Sequence, residues 1–118
     1  MRTLLAFMLA AGLAACDSME LTIAVNQPEK GWLEVVNSND RVLKNALLVI
    51  EAFESEGTTR PCGEESISRW EPGQAIRVPA CAEKVRLTLT AGAETARFSF
   101  AKGKVYRRIG RKEVPISR

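Results

Sequence analysis

Val85, Leu87 and Leu89 alternate with Arg86, Thr88 and Thr90. Successive side chains of a strand point to opposite faces, so a period of two specifies a strand with one buried face and one wet face. The same period recurs along most of the chain. Leu21, Ile23 and Val25 alternate with Thr22 and Ala24. Trp32 to Val36 reads as a second strand. Ala96, Phe98 and Phe100 oppose Thr95, Arg97 and Ser99, and Val105, Arg107 and Ile109 oppose Tyr106 and Arg108.

Ala46 to Phe53 is apolar on both faces, as a central strand would be. A helix over 43–54 is its rival, but no polar stripe at helical spacing supports it, and Val49-Ile50 is a β-branched pair. Turn chemistry punctuates these runs at 27–31, 37–40 and 91–93, and Ala101-Lys102-Gly103 reads as a hairpin loop. Glu71-Pro72-Gly73-Gln74 places Pro and Gly at the centre of a type II turn. Residues 55–61 read as a loop, Ser66–Trp70 and Ala75–Val78 as short strands, and Pro115 limits any last strand to an edge or a tail. Strands spaced by about 8–12 residues predict an all-β chain. The expected fold is a small antiparallel β-sandwich of about seven to eight strands, preceded by a signal-peptide helix.

The N-terminus carries a different signal. Arg2 precedes thirteen uncharged residues, Thr3 to Ala15, rich in Leu and Ala. A membrane-spanning helix needs roughly 20 apolar residues, so this run suits an export signal better than a stop-transfer anchor. Leu13-Ala14-Ala15-Cys16 then resembles the lipobox of bacterial lipoproteins. The resemblance implies diacylglyceryl transfer to Cys16, cleavage before it and acylation of the new N-terminus. It also implies a location in the cell envelope, facing the periplasm. Asp17 resembles the enterobacterial signal for retention in the inner membrane. The alternatives are an ordinary cleaved signal ending near Ala15 and a buried apolar helix. On the lipoprotein reading, residues 1–15 are the signal, 16–19 the lipidated cysteine and a short tether, 20–110 the β domain and 111–118 a basic tail.

Three cysteines occur in all. With Cys16 lipidated, Cys62 and Cys81 form an even pair in an oxidising compartment, and a disulfide is expected. The alternatives are free thiols or a metal pair, but a structural zinc site takes four Cys/His ligands and the chain has no His. No metal and no cofactor is expected beyond the covalent lipid on Cys16.

The net charge of +3 is unevenly distributed. Residues 17–100 hold nine Lys/Arg against thirteen Asp/Glu, whereas residues 101–118 hold seven against one. The cluster Arg107, Arg108, Arg111 and Lys112 is therefore the candidate patch for a membrane surface, an anionic envelope polymer or an acidic partner. Its rival is a solvated strand edge whose charge blocks sheet-to-sheet association. Nucleic acid is not an expected partner outside the cytoplasm.

Catalytic chemistry finds little support. Without His, Ser-His-Asp and Cys-His arrangements cannot be built. Glu51, Glu54, Glu56, Glu64 and Glu65 fall in or beside expected loops, where solvated charge is the simpler reading. Asn37, Asn39 and Asp40 complete no calcium loop and read as a turn. Trp32 and Trp70 are candidates for the core or for interface anchors.

The segment Trp70 to Pro79, a Pro-Gly turn feeding a strand, resembles a step of bacterial immunoglobulin-like and fibronectin-like domains. The spacing of Cys62 and Cys81 is too short for the inter-sheet bridge of that family. The expected function is a non-catalytic, membrane-anchored accessory or interaction module of an envelope complex. The alternative is a lipid-anchored inhibitor or immunity module that blocks a lytic enzyme or toxin.

Overall fold

The computed structural model describes residues 20–55 and 57–116. Nine strands occupy them: β1 (Ile23–Glu29), β2 (Trp32–Asn37), β3 (Leu43–Ser55), β4 (Thr58–Trp70), β5 (Ala75–Pro79), β6 (Lys84–Ala91), β7 (Glu94–Ala101), β8 (Lys104–Ile109) and β9 (Lys112–Pro115). One sheet has the order β1-β2-β5 and the other β4-β3-β6-β7-β8-β9, with every pairing antiparallel. The all-β sandwich predicted by the alternation is present, with nine strands among the described residues rather than seven to eight. The predicted signal helix and Cys16 lie outside those residues.

The core lies between the two sheets. Ile23 and Val25 of β1, Leu33 and Val35 of β2 and Val78 of β5 pack against Leu48 and Ile50 of β3, Leu87 and Leu89 of β6 and Phe98 of β7. The predicted period of two is visible in β6, where Val85, Leu87, Leu89 and Ala91 are buried and their neighbours half-buried. The helix that competed for residues 43–54 is not formed. β3 is a strand with partners on both sides, which is why both of its faces are apolar.

Two expectations change. The loop expected over 55–61 is largely strand, since Ser55 pairs with Thr58 and β4 runs thirteen residues from Thr58 to Trp70. The segment 111–118 is not wholly a tail. Lys112–Pro115 form β9 on the edge of the large sheet, and the Ile116 amide donates to the Val105 carbonyl at 3.1 Å.

Prolines mark the edges. Pro28, Pro61, Pro79 and Pro115 lie on β1, β4, β5 and β9, which are the four edge strands. Proline cannot donate to a ladder, so an edge is where it fits. Pro72 takes the predicted turn, in which Gly73 has φ +80° and the Gln74 amide donates to the Glu71 carbonyl at 3.0 Å.

The expected turn at 37–40 is a buried polar junction. Asn37 is fully buried. Its Nδ2 donates to the Trp70 carbonyl at 2.9 Å and to the Arg41 carbonyl at 3.1 Å. Its Oδ1 accepts from the Asn39 amide at 2.9 Å and from Asn39 Nδ2 at 2.8 Å. Asn39 in turn accepts from the Thr22 amide at 3.1 Å and donates to the Thr22 carbonyl at 2.9 Å. The junction joins β1, β2, β4 and the loop into β3, and every polar atom of the Asn37 amide is satisfied.

Candidate functional site

Alternation along β8 splits the predicted basic cluster. Arg107 turns inward with Val105, whereas Arg108 turns to the opposite face of the sheet. Arg107 is only 9% exposed. Its guanidinium lies 5.0 Å from the Phe98 ring centroid, and Nη2 donates to the Leu21 carbonyl at 2.6 Å. It is thus a core cation that fastens the start of the domain to the large sheet, and it is not part of a surface patch. Arg108 is committed to Glu113, with Nη1 to Oε2 at 2.6 Å. Arg111 and Lys112 remain exposed at the β8–β9 turn, and no carboxylate among the described residues pairs with either.

The face of the large sheet turned away from the core carries a half-buried charged cluster. Glu113 Oε2 accepts from Ser99 Oγ at 2.9 Å and from Arg108, and Lys84 Nζ lies 3.4 Å away. Lys84 and Arg108 lie 4.9 and 5.5 Å from the Phe53 ring centroid. Phe53 is on β3 and Arg108 on β8, three strand spacings apart, or about 14 Å in a flat sheet. The sheet therefore curls toward this face, and Ser99 is fully buried beneath the cluster. Beside it, Arg86 Nη2 meets Glu51 Oε1 at 2.6 Å, while Thr59 Oγ1 donates to Glu51 Oε2 at 3.3 Å.

Burial raises the Glu113 pKa. The Ser99 hydrogen bond, Lys84 and Arg108 together outweigh that effect and hold its carboxyl below the ordinary value of 4.5. A carboxylate held ionised in this way donates no proton near neutral pH. The other glutamates considered for hydrolysis do not converge. Glu54 pairs with Arg60 at 2.8 Å, Glu64 and Glu65 are successive residues of edge strand β4, and Glu56 lies outside the described residues. Among the described residues, no group of three His, Cys, Asp or Glu is placed to hold a metal ion.

Cys62 and Cys81 form the expected disulfide, with Cα atoms 5.9 Å apart. It ties edge strand β4 to the segment following β5, thereby joining the two sheets across one end of the sandwich. The Ala80 amide donates to the Gly31 carbonyl at 2.9 Å, which brings the β1–β2 turn to the same place. An open groove of about 650 Å³ lies there, lined in part by Gln27, Lys30, Ala82 and Glu83.

The two tryptophans take different roles. Trp70 is fully buried, and its Nε1 donates to the Gln74 carbonyl at 2.8 Å. Trp32, paired with Pro79, is 43% exposed beside the disulfide-bonded end. The Arg77 guanidinium lies 5.0 Å from its ring centroid and is itself paired with Glu29. Trp32 shares the outward face of β2 with Glu34 and Val36, opposite the fully buried Leu33 and Val35, so the alternation along the strand turns it away from the core.

Compared with known proteins, the chain matches no family model, no curated protein and no solved structure.

Proposed function

We propose that this chain is a lipid-anchored, non-catalytic binding module of the bacterial cell envelope. The Cys62–Cys81 bond carries this reading. Disulfides persist in oxidising compartments such as the periplasm. Pairing these two cysteines leaves Cys16 as the odd thiol, immediately after Leu13-Ala14-Ala15. Lipid on Cys16 fits both the compartment and the count. Two or more acyl chains on one residue hold a protein stably at a bilayer, whereas one chain holds it only marginally.

The reach is short. From Cys16 to Glu20 the chain spans at most about 14 Å when fully extended. The domain therefore works close to the membrane, as an accessory or interaction module of an envelope complex. Asp17 supports the inner membrane as its location. The partner surface is the end that carries Trp32, because an exposed tryptophan beside a groove on a cross-linked scaffold is a common binding anchor.

Fractionation of cells producing Cys16→Ser tests the anchor. The variant is expected to leave the fraction in which the unmodified sequence is found with membranes. Equal membrane retention of both proteins contradicts the proposal.

A further inference from the structure

The two ends of the sandwich differ, and the β8–β9 turn shares an end with the start of the domain. Arg107 binds the Leu21 carbonyl at 2.6 Å, and Ile109 follows two residues later on the same strand. Leu21 is therefore close to the turn Ile109-Gly110-Arg111-Lys112. The Arg41–Glu94 ion pair, at 2.7 Å, places the loop before β3 and the β6–β7 turn at this end as well. Trp32 and the disulfide occupy the opposite end, separated from Ile23 by the length of β1, about 20 Å.

This turn combines three properties on one projection. Ile109 is 38% exposed. Arg111 and Lys112 follow it in the same turn, exposed and without a carboxylate partner among the described residues. Gly110, with φ +62°, closes the hairpin tightly and holds these three side chains at its tip. Glu94 at the same end is paired with Arg41, and Asp40 is the exposed acid of the loop before β3.

We infer that the β8–β9 turn is a membrane-apposed contact. Ile109 meets the interfacial region of the bilayer, Arg111 and Lys112 meet anionic phospholipid headgroups, and the Trp32 end points away from the membrane. This inference rests on the proposed lipid at Cys16, which limits how far the turn can lie from the bilayer. Basic side chains gain from an anionic surface over about one Debye length, and an apolar side chain beside them adds contact area. An anchor alone leaves the domain free to tumble on its tether, whereas anchor and turn together fix which end faces outward.

The test uses the full protein recovered from membranes and placed in vesicles of phosphatidylcholine alone or with 30% phosphatidylglycerol (a probe composition of roughly one anionic lipid in three). Amide hydrogen exchange is followed at residues 109–112, with the β1–β2 turn at 29–32 as the internal reference. Exchange at 109–112 is expected to slow roughly tenfold on the anionic vesicles, with 29–32 unchanged. The double variant Arg111→Glu/Lys112→Glu is expected to lose the slowing. Equal rates on both vesicles, or slowing at 29–32 instead, overturn the orientation. The mass of the Cys16 peptide from the same sample separates the two ideas: a lipidated chain with unslowed 109–112 overturns this inference alone, and a chain without lipid overturns the anchor and this inference together.

Discussion

The side-chain amide of Asn37 donates to the main-chain carbonyl of Trp70 at 2.9 Å, linking the last residue of β2 to the last residue of β4 across the two sheets. Both residues are fully buried. With Asn39 and Thr22 continuing the chain of hydrogen bonds, a polar plug closes the end of the domain at which β1 begins.

Asn37→Leu is expected to destabilise the fold by about 3 kcal/mol. It strands the carbonyls of Trp70 and Arg41 and both groups of Asn39, and each buried unsatisfied group costs about 1–3 kcal/mol. Asn37→Asp is expected to be at least as harmful, because its charge faces two carbonyl oxygens. Urea unfolding followed by tryptophan fluorescence measures both. A loss under about 1 kcal/mol for Asn37→Leu means that the junction is not a stabilising element.

The β7–β8 hairpin carries Lys102 at φ +54° and Gly103 at φ +78°. Two positive φ values in a two-residue loop are the pattern of a type I′ turn, which favours Asn-Gly. Lys102→Asn is expected to raise stability by about 0.5 kcal/mol, since Asn tolerates the left-handed region better than Lys. Nothing lies within 4 Å of a Cβ added to Gly103. Gly103→Ala should therefore lower stability by about 1 kcal/mol through backbone conformation alone. Paired thermal melts give both values, and the opposite order of the two variants contradicts the turn assignment.

Arg107 and Arg111 are expected to differ sharply in their response to replacement by Met. Arg107→Met loses the bond to the Leu21 carbonyl, and a hydrogen bond to a charged group contributes about 1.5–3 kcal/mol. Arg111→Met, at an exposed turn, should change stability by less than about 0.5 kcal/mol. Chemical denaturation of the two single variants separates a core cation from a surface one.

Glu113 sets an acid limit on the large sheet. Its folded pKa lies below 4.5, where an unconstrained glutamate titrates, because Ser99, Lys84 and Arg108 together outweigh the opposing effect of burial. The folded state thus holds this proton less readily than the unfolded chain does. Its contribution is complete above about pH 4.5 and is lost as the pH falls from there through the lower folded value. Urea midpoints measured from pH 7 to pH 3 (a range spanning roughly the ordinary and lowered values) should fall more steeply for the natural sequence than for Glu113→Gln. Parallel curves contradict the role given to the carboxylate.

Alternation made the meander from β6 to β8 legible, because each of these strands has one wet face. It hid β4. Pro61, Gly63, Glu64 and Glu65 are poor strand formers, and an edge strand shows little apolar period, so β4 depends on the thirteen-residue β3 beside it. The separation of Arg107 from Arg108 was already contained in the period of two along β8, yet a run of basic residues in sequence reads as one patch until the strand is folded. The exposure of Trp32 was likewise contained in the alternation with Leu33 and Val35, whereas the contact of Phe53 with Lys84 and Arg108 depends on sheet curl, which local sequence does not encode. Asn45, at φ +53° inside β3, marks a further irregularity that period-two patterning does not predict.

The mass of the N-terminal peptide from protein extracted with detergent from bacterial membranes tests the proposed anchoring most directly. The expected peptide begins at Cys16 and carries the added mass of a diacylglyceryl group and an amide-linked acyl chain. An unmodified Cys16, or a soluble protein still bearing residues 1–15, contradicts it.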